Sequence, residues 1–131
     1  MRTGLSLQVL AFGLLMTAHA SAGLLDGTAW KVQAVPTRQT AEKSAKPFED
    51  VLTFSRGRLT SRELKRSGIG AVDYSATGTK DFLNWETAPV LRARNKAQWD
   101  GVIKEENIKG TLKWVTRDGR VLYYYLNGKK R

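Results

Sequence analysis

From Thr28 onward the chain repeats one pattern: short runs in which apolar and polar residues alternate, closed by turn-forming residues. Alternation of that kind turns successive side chains to opposite faces of a strand and disfavours an amphipathic helix over the same residues. Eight strands are expected, over 28–36, 48–55, 58–64, 71–77, 81–88, 96–104, 107–116 and 120–127. Trp, Tyr, Phe, Val and Thr concentrate in them, as half-buried pleated surfaces prefer. Turn signals separate them at Arg56-Gly57, Gly68–Gly70, Gly78, Ala88-Pro89, Glu105-Glu106 and Asp118-Gly119. Only 40–46 can form a helical turn, and no linker, low-complexity tract or solenoid repeat interrupts the series.

Register tests this reading. A two-residue type I′ loop at Asp118-Gly119 sets Trp114 opposite Tyr123 and Leu112 opposite Tyr125. A turn at Glu105-Glu106 sets Leu112 opposite Trp99, Gly110 opposite Gly101 and Ile108 opposite Ile103. The inner face then holds Trp99, Ile103, Ile108, Leu112, Trp114, Tyr123 and Tyr125, while Gln98, Asp100, Lys109, Thr111, Lys113 and Tyr124 face water. A slip of one residue would exchange the faces. Gly101 and Gly110 facing each other imply a sharp bend, as a coiling sheet needs.

Antiparallel hairpins with one wet face close into a sandwich or a barrel. Eight strands in meander order favour the barrel, because closure removes exposed edges. The first strand opens on Gly27-Thr-Ala-Trp30, similar to the Gly-x-Trp opening of lipocalins with one residue added. Near the other terminus stands Trp99-Asp-Gly101…Ile108-Lys-Gly110-Thr-Leu-Lys-Trp114…Asp118-Gly119…Tyr123. On these motifs the chain resembles small bacterial exported lipocalin-like (calycin-like) β-barrel proteins of unassigned function, over almost all of 23–131. The resemblance implies an all-β fold, a single eight-stranded antiparallel up-and-down barrel. It also implies a small-molecule cargo and an arginine packed across Trp30, for which Arg120 and Arg131 are the candidates. Lipocalin disulfides have no counterpart in a chain without cysteine.

Residues 1–22 have the layout of a cleavable signal peptide. A basic Met1-Arg2 precedes the apolar run 5–16, and Ala18-His19-Ala20 and Ala20-Ser21-Ala22 offer alternative cleavage sites. A periplasmic or secreted barrel domain over 23–131 is expected, with no transmembrane segment in the mature chain. Cleavage would leave 109 residues, one modest core, and reduce the formal charge from +10 to +9. It would also remove His19, the only histidine.

A chain without histidine or cysteine has no cysteine nucleophile, no Ser-His-Asp relay and no N/S metal site, so neither metal nor cofactor is expected. Pairing 48–55 with 58–64 across Arg56-Gly57 puts Phe54 opposite Leu59, Leu52 opposite Ser61 and Asp50 opposite Glu63. Two inward carboxylates can form an acid/base pair, which makes a weak hydrolase one alternative. The expectation is a protein that is not an enzyme.

In a meander, connections alternate between the barrel ends. Loops 37–47, 65–70, 89–95 and 117–119 share one end and hold eight basic side chains against two acidic ones. The loops at the other end, 56–57, 78–80 and 105–106, balance to zero. A basic rim of Arg38, Lys65, Arg92, Arg94 and Arg117 is therefore expected around a mouth. The interior is expected to carry Trp30, Phe54, Trp85, Trp99, Trp114, Tyr123 and Tyr125, either as solid core or as pocket wall. An anionic amphipathic small molecule or lipid suits such a site, and nucleic acid ranks below it for an exported protein. The alternative is an envelope protein or enzyme bound at the outer wall, where Leu122, Tyr124 and Leu126 would be exposed.

Overall fold

The computed structural model describes residues 23–131, so the expected signal peptide lies outside the described residues. The chain forms one closed barrel whose eight antiparallel strands follow sequence order. They are β1 (Thr28–Pro36), β2 (Phe48–Ser55), β3 (Arg58–Ser61), β4 (Val72–Thr79), β5 (Phe82–Thr87), β6 (Lys96–Lys104), β7 (Asn107–Val115) and β8 (Val121–Lys130). β1 pairs with both β2 and β8, which seals the ring. Two short helices, α1 (Arg38–Ala41) and α2 (Arg62–Arg66), lie in the first and third connections. Among the described residues no helix is long and apolar enough to cross a membrane.

The β6–β7 ladder has the expected register, with Trp99 opposite Leu112, Gly101 opposite Gly110 and Ile103 opposite Ile108. The facing glycines are sterically required. A Cβ on Gly101 would stand 2.0 Å from the Lys109 carbonyl oxygen, and one on Gly110 2.1 Å from that of Asp100. Only bare backbone lets the strands come this close where the sheet coils.

β8 departs from expectation by one residue. The turn is a three-residue loop, Arg117–Gly119, closed by the Thr116 N–H on the Arg120 carbonyl at 2.8 Å, with Gly119 at φ +89°. This is a turn followed by a left-handed glycine, not a type I′ pair. The Thr116 side chain holds it by donating to Asp118 Oδ1 and accepting the Arg120 N–H at 2.9 Å. Trp114 therefore faces Leu122 and Leu112 faces Tyr124. Leu122, Tyr124 and Leu126 point inward and are buried, while Tyr123 and Tyr125 point outward, 45% and 60% exposed. The expected inward place of the two outer tyrosines is thus corrected, and so is the expected exposure of the other three.

The β2–β3 hairpin pairs Phe54 with Leu59 and Leu52 with Ser61, as expected, but the strand stops there. Ser61 caps α2 by accepting the Leu64 N–H at 3.0 Å, and Leu64 plugs the barrel end. Glu63 consequently sits on a helix rather than opposite Asp50 in a ladder. Beyond α2 the β3–β4 seam keeps only Arg58–Asp73 and Leu59–Val72 as paired positions.

Large side chains fill the axis. Trp30, Trp85, Trp99, Phe54, Leu52, Leu59, Ile108 and Leu112 are fully buried. Phe54 packs edge-on against Tyr74 and Trp85, with ring centres 4.8 and 5.6 Å apart. Edge-to-face pairs at this spacing add roughly 0.5–1.5 kcal/mol beyond burial itself.

Candidate functional site

Four connections meet at the mouth and brace one another. The Thr37 N–H donates to the Tyr123 carbonyl at 2.9 Å, and Lys43 Nζ donates to the Val121 carbonyl at 3.0 Å. Thr40 Oγ1 accepts the Tyr123 N–H at 2.9 Å, which seats α1 on β8. The Asn95 N–H reaches the Thr116 carbonyl at 3.3 Å, and Arg117 Nη2 reaches the Ser67 carbonyl at 3.4 Å. These contacts bring α2, the 88–95 loop and the β7–β8 turn around one cleft.

That cleft has a volume of about 750 Å³ and is lined by Lys65, Arg66, Asn95, Trp114, Arg117 and Arg120, with Ser67, Gly68, Thr116 and Asp118 between them. Trp114 forms its apolar wall and is half-buried. Its Nε1 is buried without a hydrogen-bond partner, as are those of Trp85 and Trp99 deeper in the barrel. Trp30 differs, because its Nε1 donates to Thr28 Oγ1 at 3.0 Å.

Charge in the cleft is unevenly matched. Arg120 pairs with Asp118 at 3.4 Å and Arg66 with Glu63 at 3.2 Å, while the described ion pairs include no partner for Lys65 or Arg117. The Thr116 hydroxyl, and then Arg120, hold the Asp118 carboxyl below its usual value. Burial raises the Tyr124 phenol above its usual value, against the pull of the Arg120 charge.

Beneath α2 lies Asp50, 2% exposed. Its Oδ1 accepts the Val51 and Glu63 N–H groups at 2.8 and 2.9 Å, and its Oδ2 accepts the Ser61 hydroxyl. Burial pushes the Asp50 carboxyl above its usual value, against the pull of these three donors. All its bonds serve the clasp on α2. Glu63 pairs with Arg66, and its charge adds to the upward push on Asp50.

The expected site residues separate into three groups. Trp30, Phe54, Trp85 and Trp99 are core. Trp114, Lys65 and Arg117 come together at the mouth cleft, and Arg94 lies beside the same turn, its guanidinium 3.6 Å from where a Gly119 Cβ would stand. Arg92 is exposed on the adjoining loop. Arg38 belongs elsewhere: with Gln39, Thr111, Tyr123 and Tyr125 it lines a cleft of about 480 Å³ on the outer wall. Arg120 and Asn95 were not anticipated as cleft residues, Arg120 because its position depends on the loop length after Thr116. The α-chain of Arg131 closes the far end through its N–H on the Ala29 carbonyl at 2.9 Å, next to Trp30, whereas Arg120 is at the mouth. Compared with models of known families, with curated proteins and with solved structures, the chain finds no match.

Proposed function

We propose that this is an exported, non-enzymatic, lipocalin-like binding protein for an anionic amphipathic small molecule held at the barrel mouth. The observation that carries the reading is the mouth cleft, which the Trp114 ring and the cations Lys65 and Arg117 line together. Because the axis is packed with indole and aliphatic groups, the ligand's chain lies against Trp114 instead of running down the barrel. Each Å² of chain covered there contributes about 25 cal/mol. The anionic head orients toward the cations, which add roughly 0–1 kcal/mol each at an exposed rim. A second reading, a protein partner on the outer wall, is favoured by the outward Tyr123, Tyr125 and neighbouring Val35.

Calorimetric titration with dodecyl phosphate tests the first reading. Saturable one-to-one binding is expected, at least tenfold tighter than for uncharged dodecyl maltoside, and weakened by Trp114→Ala, which removes the apolar wall. Equal affinity for the two amphiphiles, or none for either, would leave the outer wall as the site.

A further inference from the structure

We infer that the mouth end docks onto the head-group surface of an anionic bilayer, with Leu91 entering the interface. Leu91 is 81% exposed, against 60% or less for the other exposed large apolar side chains among the described residues. It does not dangle. The loop beneath it is pinned by the Val90 N–H on Gln98 Oε1 at 2.9 Å, by Lys113 Nζ on the Val90 carbonyl at 2.8 Å, and by Asn95 on Thr116. A braced loop therefore holds one aliphatic side chain out in water, next to the exposed Pro89. A leucine left in water gains free energy from any apolar phase that covers it.

Charge says what covers it. Arg92 and Arg94 follow Leu91 directly and are exposed, and Lys65, Arg66, Arg117 and Arg120 surround the adjoining cleft. The opposite end mixes Asp26, Asp81, Glu105 and Glu106 with Arg56, Lys80, Lys129, Lys130 and Arg131, all exposed, so that opposite charges nearly cancel there. The molecule thus presents one strongly basic end, and an anionic surface would orient it with that end down. A protein partner would need broad shape complementarity around a single projecting side chain. A bilayer needs only an apolar wedge inside a ring of cations, with guanidinium groups matched to phosphates. Each cation held near such a surface raises the partition about fivefold, and a leucine fully buried raises it more than tenfold.

This inference goes beyond the ligand reading and uses a different residue, since Leu91 is not among those lining the cleft. Co-sedimentation with phosphatidylcholine vesicles, with and without phosphatidylglycerol, should show binding only where the anionic lipid is present. Leu91→Ser should lower that partition about tenfold and leave dodecyl phosphate affinity unchanged. Arg92→Glu with Arg94→Glu should lower it by more than tenfold and flatten its salt dependence. The chain has no cysteine, so Leu91→Cys and Glu105→Cys each give a single labelling site for a polarity-sensitive dye. The dye should shift to the blue with anionic vesicles at position 91 and stay unchanged at position 105. All these positions are exposed, and near-ultraviolet dichroism checks that each variant is folded. Equal binding to neutral vesicles, a Leu91→Ser variant that partitions like the parent, or equal dye shifts at both ends would each overturn the inference.

Discussion

Both ends of the barrel rest on an aspartate, and the two are used differently. At the floor, Asp26 accepts the Gly57 N–H at 3.0 and 3.2 Å through its two oxygens and the Tyr74 hydroxyl at 2.6 Å. Around it the backbone finishes the closure, with Gly27 on Phe54, Lys130 on Glu106 and Arg131 on Ala29. At the mouth, Asp50 is sealed under α2, and the residues after the helix reach β4 across a seam of only two paired positions. Closing an end by continuous pairing leaves backbone groups matched. Closing it with one capped helical turn leaves a cleft alongside, into which neighbouring loops project cations. The mouth keeps a cleft because α2 stands where strand pairing stops, and the entry to that helical turn is held by a single buried carboxylate.

The largest expected effect follows from that single carboxylate. Asp50→Ala would strand the Val51 and Glu63 N–H groups and the Ser61 hydroxyl in a buried site. At roughly 1–3 kcal/mol for each unmatched donor, the loss should reach about 4 kcal/mol, a large share of a small domain's stability. Asp50→Asn keeps an oxygen for both N–H groups and should cost about 1 kcal/mol, because Ser61 can accept from the new amide. The pH dependence has a definite sign. A carboxyl raised above 3.8 in the folded state favours the protonated form, so its contribution is full at lower pH and fades as pH climbs through the folded value. Denaturant unfolding of the parent and Asp50→Asn should show the parent's advantage shrinking from acid toward neutral pH. An advantage that grew with pH would mean that the three donors outweigh burial, and would make the mouth resemble the floor.

Strand positions were legible because alternation at period two admits few other folds, and the facing Gly101 and Gly110 locked the β6–β7 register. The faces of β8 were not, since Asp118-Gly119 fits either a two-residue loop or the end of a three-residue one. Thr116 decides between them through its own side-chain bonds. The chain did hold the answer: Asn127 and Lys129 are in phase with Tyr123 and Tyr125, so the two-residue loop would have turned them inward as well. α2 was hidden because a five-residue turn is too short to show a helical period, and only Asp50, thirteen residues earlier, reveals that the Glu63 N–H is claimed by a side chain. Of the expected site, Lys65 and Arg117 at the cleft came from loop parity and Trp114 from strand alternation. Arg38 and Leu91 were beyond reach, because their placement depends on α1 docking to β8 and on Lys113 holding the Val90 carbonyl.

At the floor the expected effect is smaller, because the load is shared. Tyr74→Phe removes the hydroxyl from Asp26 but keeps the ring against Phe54 and leaves the Gly57 bonds in place. A loss of about 1–2 kcal/mol is expected, within the range for a hydrogen bond to a charged group. Burial, the Asp26 bond and the Asp26 charge all raise the Tyr74 phenol above 10. Its contribution is therefore complete below pH 10 and fades only above that, so the parent should lose stability in strong alkali through a route the variant lacks. Urea unfolding across that range checks the sign. Titration of the variant with dodecyl phosphate should match the parent, and any weakening would couple the two opposite ends of the barrel.

The smallest effect isolates position from net charge. Arg117→Glu at the mouth and Lys130→Glu at the floor change the formal charge equally, yet only Arg117 lines the cleft. Lys130 ends β8, whose ten residues span about 33 Å at strand rise, several screening lengths from the mouth at physiological salt. If the field of the whole molecule recruited the anion, both variants would bind dodecyl phosphate equally less well. If the cleft does, Arg117→Glu should weaken binding by up to about fivefold, the upper range for an exposed pair, while Lys130→Glu stays within error. Raising the salt should erase the difference, because the rim charge acts through solvent and the Trp114 contact does not. Calorimetry at two ionic strengths reads both outcomes, and equal weakening at low salt would remove the mouth's claim to be the site.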